Sequence, residues 1–234
     1  MTHETDLAVR LAHVRERVER ATARAGRPPG SVRVIAISKT FSAEHVRAAA
    51  GAGQVDFGEN RVQEALQKIP ATADLQIRWH LVGHLQSNKA RKAAESFAWI
   101  HSVDRPDLLD RLDEAAAAAG TSPRVLVQVD LGGEPTKHGA LVDHVRAIVD
   151  RARGCRAVRA VGLMTLPPFT EDPDGARPFF RRLRDIRERL LDEGVEPSLL
   201  GELSMGMSHD FEVAIDEGAT MVRVGTAIFG SRGR

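Results

Sequence analysis

The stretch VIAISKT, residues 34–40, runs a series of apolar side chains straight into an amine, that of Lys39. A lysine at the end of a strand ordinarily reaches solvent and does nothing more. Held among apolar walls instead, its amine loses hydration, its pKa falls, and it becomes a nucleophile that condenses with aldehydes. In LSMGMSHDF, residues 203–211, Ser204, Gly206 and Ser208 precede a helical pattern. Their small side chains leave backbone N–H groups open to an anion at a helix start. Gly225 and Thr226 in MVRVGTAIFG offer two further donors from a neighbouring strand. Taken singly, Ser208 reads as a helix cap and Gly225 as a packing residue. Taken together, an amine facing an anion cradle suits a phosphorylated aldehyde: pyridoxal 5′-phosphate (PLP), or the substrate of a sugar-phosphate aldolase. Arg223 helps to separate these, because strand alternation turns it inward with Gly225. A guanidinium is always charged. Set against the ring nitrogen of a pyridoxal, it keeps that nitrogen unprotonated and weakens the ring as an electron sink. The plain alternative is that Arg223 pairs with an acidic neighbour.

These residues need a frame. Short apolar runs recur at 32–38, 54–57, 77–82, 98–103, 124–129, 158–164, 202–205 and 221–229, with helical patterns between most of them. Strands that alternate with helices pair in parallel. Several runs are apolar on consecutive residues, as strands buried on both faces are. The count of eight, and the lack of a G-x-G-x-x-G after the first strand, favour a closed (β/α)8 TIM-type barrel over an open doubly wound sheet. An amphipathic helix at 5–26 precedes the first strand, with Leu7, Leu11, Val14 and Val18 on one face. The eighth strand is expected to run straight into the terminus, which leaves this extra N-terminal helix to fill the vacant place in the outer ring. Residues 1–234 read as one domain. In such a barrel the strand ends carry the site, and polar or small residues collect there: Lys39, Asn60, His80, His84, His101, Asp104, Thr165, Ser204 and Arg223.

Composition narrows the partners. The 234 residues carry 33 basic and 32 acidic side chains, a balance that gives no electrostatic attraction to nucleic acid or anionic membrane. Cys155 is the only cysteine, which excludes an internal disulfide and fits a reducing compartment. With no signal-peptide core and no spanning stretch in the sequence, the expectation is a cytoplasmic protein. His80 and His84 stand four apart, a metal spacing on a helix but not on a strand and its loop.

VIAISKT, FGENRVQEA, RWHLVGHLQSNK, HSVDR, GLMTL, LSMGMSHDFEVAI and MVRVGTAIFG resemble, in order, the motifs of the YggS/PROSC family of pyridoxal phosphate homeostasis proteins, from about Val32 to Gly230. That family is similar to the barrel domain of alanine racemase without its second domain. The resemblance implies a protein that binds, buffers and delivers PLP, with no catalytic residues and no metal. By matching positions it implies Lys39 as the Schiff-base lysine, Ser204, Gly225 and Thr226 as phosphate contacts, and Arg223 as partner of the pyridine nitrogen. Asn60, His80 and Met164 match pocket-lining positions. It further implies PLP-requiring apoenzymes as recipients and a monomer. Arg61 and His84 depart from the residues common in the family, and the segment around Lys137 differs too, which bears on the pocket rim and on any second cofactor site there. Two alternatives remain open. A PLP-dependent racemase needs a second acid/base group, and the chain has no tyrosine to serve, though His80 or His84 could substitute. A Schiff-base aldolase would use Asp104 or Asp130 beside Lys39.

Overall fold

A computed structural model describes residues 2–133 and 138–230, with Lys137 outside them. Among the described residues, eight parallel strands close into a barrel in chain order, the last pairing with the first. The strands are β1 (Arg33–Ile37), β2 (Asp56–Glu59), β3 (Arg78–Leu81), β4 (Trp99–Val103), β5 (Arg124–Gln128), β6 (Arg159–Met164), β7 (Glu202–Met207) and β8 (Met221–Val224). The helices are α1 (Thr2–Arg24), α2 (Ala43–Gly51), α3 (Val62–Ala71), α4 (Ala90–Ser96), α5 (Pro106–Ala119), α6 (Val142–Ala152), α7 (Arg177–Asp192), α8 (Phe211–Asp216) and α9 (Thr226–Phe229). The expected barrel with its extra N-terminal helix is the observed fold.

The strands are apolar on both faces because both are covered. Outward residues such as Ala36, Phe57, Leu81 and Ile100 pack under the helix ring in one continuous core with Leu108, Phe180 and Leu183. Each such side chain contributes roughly 1.5–3 kcal/mol by leaving water. Inward residues form a separate cluster: Ile35, Ile37, Val82, Trp99, Leu126, Met164 and Met221. At the N-terminal end of the barrel, Trp99 lies between the Arg33 and Arg124 guanidinium carbons, 4.8 and 5.0 Å from the indole ring. At Gly58 an added Cβ would fall 2.4 Å from Ile37 Cδ1, so the missing side chain lets Ile37 fill the interior.

α1 occupies the eighth place in the ring. Leu11 and Val14 are fully buried. Arg10 Nε donates to the Ile228 carbonyl at 2.7 Å, Arg17 pairs with Glu212 at 3.0 Å, and Arg24 with Asp216 at 2.9 Å. The expectation that no helix follows the last strand is corrected here. β8 stops at Val224, and residues 226–229 turn into the short α9, whose Ile228 and Phe229 N–H groups bond to the Gly225 carbonyl at 2.9 Å. The unbroken apolar run past 224 mimics a strand, but Ile228 and Phe229 bury themselves as one helical turn against α1 and Phe41. β7 departs the other way, running to Met207. Its register against β8 shifts between Ser204 and Met207, an irregularity that moves the rim two residues later than the expected 202–205.

Candidate functional site

At the C-terminal ends of the strands a cavity of about 450 Å³ opens. Ile37, Val82 and Leu166 give it apolar walls, and Lys39 and Arg223 bring nitrogen into it. Ser208, Gly225 and Thr226 form one side.

Lys39 follows β1 by two residues, so it continues the inward side of Ile35 and Ile37. Its backbone is clamped from outside the barrel. The Lys68 ammonium donates to the Ser38 carbonyl at 2.8 Å and to Glu59 Oε1 at 2.7 Å, while the Thr40 N–H donates to Glu64 Oε1. Ser38 Oγ donates to the same Glu59 oxygen at 2.6 Å. Glu59 is fully buried, and burial holds its carboxyl above the usual range. Thr40 takes a left-handed φ of 68°, which turns the chain sharply just after the lysine. Residues on both sides of Lys39 are thus held by two charged side chains of α3. Among the described residues the Lys39 amine itself has neither an ion-pair nor a hydrogen-bond partner.

The opposite wall is built from backbone. Ser208 Oγ accepts from the Gly225 N–H at 3.1 Å and the Ala227 N–H at 3.4 Å, which ties the end of β7 to the start of α9. The Met207 N–H donates to buried Asp210 at 2.6 Å, fixing the turn into α8. Gly206 is required there: its φ is 92°, and a Cβ would meet Ala214 Cβ at 2.6 Å. A similar close approach occurs at Gly83, where a Cβ would lie 2.2 Å from the Asn60 carbonyl.

Arg223 is buried without a carboxylate at ion-pair distance among the described residues. The acidic-neighbour reading is therefore not realised. Its guanidinium donates to Ser204 Oγ at 2.6 Å and to the Thr165 carbonyl at 2.8 Å. Burial lowers its pKa to about 10, which leaves it charged at neutral pH.

Of the eight residues singled out in the sequence, the structure brings Lys39, Asn60, Arg223, Gly225 and Thr226 to the cavity. His80, Met164 and Ser204 are fully buried and do not line the cavity. His80 and Ser204 each stand third in their strand, too deep to reach the rim, and Met164 plugs the interior. Ser208, read in the sequence as part of the anion cradle with a helix cap as the alternative, lines the cavity. His84, His138, His209 and Gln128 also line the mouth. Of these, only His84 was marked in the sequence, by its place after a strand end; Gln128 closes β5, and His138 and His209 lie in the loops after β5 and β7. His80 and His84 do not converge on one metal position. His80 joins the barrel interior, whereas His84 stacks on His138 with ring centres 3.5 Å apart and its Nδ1 3.7 Å from Asp104. The two rings are nearly parallel, at 13°, and one donor atom each from His84, Asp104 and His138 lies within 4.8 Å of the others.

Comparison with known proteins agrees with this fold. The alanine racemase N-terminal domain family matches residues 9–233. A pyridoxal phosphate homeostasis protein of Aquifex aeolicus is 43% identical over 223 residues, covering 95% of this chain and 97% of its own. PipY of Synechococcus elongatus, solved with PLP bound, is 42% identical, covers 96% of this chain and 100% of its own, and superposes with a TM-score of 0.84. Its structure without PLP superposes at 0.86. Alanine racemase of Clostridium difficile shares the fold alone, at 13% identity and a TM-score of 0.72.

Proposed function

The chain belongs to the alanine racemase N-terminal-domain family as a pyridoxal phosphate homeostasis protein, and on that premise we propose that it holds PLP on Lys39 and carries and buffers it without turning substrates over. The observation that carries the reading is one cavity in which a clamped amine, unpartnered among the described residues, and a buried guanidinium stand beside the Ser208–Gly225–Thr226 wall. The donor set fits the group. The hydroxyls of Ser208 and Thr226 suit a phosphate, and Ile37, Val82 and Leu166 suit a flat apolar ring. When bound, PLP supplies an aldehyde with which an uncharged amine forms a carbon–nitrogen linkage.

The residues of the chain then divide the work. Lys39 is presented by its clamped backbone, so little chain entropy is lost when the amine is fixed. Thr226, Gly225 and Ser208 position the anion, and Asn60 stands on the wall between β2 and β3. Arg223 stays charged and donates, so a ring nitrogen facing it remains an acceptor and gains no proton. That arrangement disfavours carbanion chemistry and favours holding over turnover. PLP-requiring apoenzymes are the recipients that such a carrier serves, and the chain acts as a cytoplasmic monomer.

One observation keeps a second reading alive. A racemase needs another acid/base group, and of the two histidines considered for it, His80 is sealed in the barrel while His84 stands at the mouth. Conversion of L- to D-alanine above the level of a Lys39→Ala protein would establish it. The principal test is direct. Added PLP is expected to give a visible absorption band that borohydride fixes onto the peptide containing Lys39. The same adduct at the same affinity in Lys39→Ala ends the proposal.

A further inference from the structure

The barrel interior is not uniformly apolar. Beside the apolar interior cluster of Ile35 and Leu126, five polar side chains from five strands form one unbroken line of hydrogen bonds. Asp56 Oδ1 faces His80 Nε2 at 2.9 Å, and His80 Nδ1 faces His101 Nε2 at 3.0 Å. His101 Nδ1 faces Ser204 Oγ at 2.9 Å, which accepts from Arg223 Nη1 at 2.6 Å. His80, His101 and Ser204 are completely buried, and Arg223 is 3% exposed. Nothing in the cavity chemistry above uses Asp56, His80 or His101.

Each end of the line fixes the direction of every bond in it. Asp56 accepts two bonds from Arg78, each at 2.7 Å, and its carboxyl is held down at about 2 against the opposing effect of burial, by its bonds to His80 and Arg78. An ionised carboxylate only accepts, so His80 must donate from Nε2. Burial lowers the pKa of His80 and takes that of His101 well below its ordinary value, so both rings are neutral at physiological pH. The Nδ1 of His80 is then an acceptor, and His101 must donate to it from Nε2. The Nδ1 of His101 in turn needs a donor, which only the Ser204 hydroxyl supplies. That turns the serine lone pairs toward Arg223. At the other end, a guanidinium has no acceptor and can only donate. All four bonds therefore point the same way, from the arginine to the carboxylate, an arrangement in which each polarises the next.

We propose that Asp56, His80 and His101 are positioning residues: acting through Ser204, they hold Arg223 on the cavity wall with fixed donors, so that a carboxylate at the N-terminal end of the barrel governs how the pocket meets its ligand. This rests on the reading that the cavity takes PLP, but its first test does not. Nitrogen-15 NMR of the free, histidine-labelled protein at physiological pH is expected to show both rings as neutral Nε2–H tautomers. An Nδ1–H tautomer on either ring, or a doubly protonated ring at that pH, overturns the proposal.

The second test is Asp56→Asn, which keeps the shape and removes the charge. Its His80 should become a mixture of tautomers, and the Arg223 guanidinium resonances of the free protein should shift. PLP retention should fall by roughly twofold to thirtyfold with a displaced visible band. Unchanged Arg223 resonances, or unchanged retention and spectrum, overturn it. A variant that fails to fold leaves the wild-type tautomers to decide. Failure of the wild type to take up PLP would defeat the functional reading while the free-protein signals still judge the positioning role.

Discussion

Replacing Lys68 by methionine tests the clamp around Lys39. The change removes an ammonium that bonds Glu59 at 2.7 Å, Glu64 at 2.8 Å and the Ser38 carbonyl at 2.8 Å. Glu64 is half-buried and can turn to water. Glu59 cannot: it is fully buried, its Oε2 already lacks a partner, and its Oε1 would keep only the Ser38 hydroxyl. Stranding one member of a buried ion pair costs about 3–5 kcal/mol. A protein of this size loses roughly 2–4 °C in Tm per kcal/mol, so the expected fall is about 6–20 °C. Lys68→Met combined with Glu59→Gln removes the stranded charge and should regain at least half of the loss. Urea and thermal unfolding of wild type, both singles and the double supply the cycle. The reasoning fails if Lys68→Met lies within about 1 kcal/mol of wild type, or if the double is no more stable than that single variant. A second expected result concerns the amine. With Ser38 and Thr40 released, uptake of PLP by the single variant should be slower and weaker even where the fold survives.

Gly206→Ala places a Cβ 2.6 Å from Ala214 Cβ at a φ of 92°, and should destabilise by roughly 1–3 kcal/mol in urea unfolding while weakening phosphate competition for the pocket. Phe180→Ala, in the fully buried layer under α7, should cost about 3–5 kcal/mol and leave the position of the visible band of loaded protein unchanged. Asp56 gives a pH dependence: its folded pKa, about 2, lies below its unfolded value, so its contribution is complete above about pH 4 and disappears as pH falls through about 2. Allowing for residual screening, that contribution is about 1–2 kcal/mol, and the stability difference between wild type and Asp56→Asn should shrink by that amount on acidification.

The barrel was legible because eight apolar bursts separated by helical patterns permit few other arrangements, and the amphipathic N-terminal stretch had only one vacant place to fill. The rim was read less well. Residues 204–207 continue β7 through a register shift that composition does not reveal, so Ser204 sinks into the interior and Ser208 takes the edge. Residues 226–229 are apolar in succession for a different reason from a strand: one helical turn buries Ile228 and Phe229 beneath α1. The interior polar line was illegible from any single motif. His80, His101, Ser204 and Arg223 are spread over more than half of the chain, and only the closure of the barrel sets them side by side.

The packing of Trp99 between two arginines at the base of the barrel, with His80 stacked over it at 5.4 Å, leaves no passage along the barrel axis. A molecule lodged at the opposite mouth has one door. Whatever receives it must either wait for spontaneous departure or cover the same opening that Phe169 and His209 flank. These routes differ in kinetics. In the first, transfer is independent of the acceptor concentration, and in the second it rises with that concentration until docking saturates.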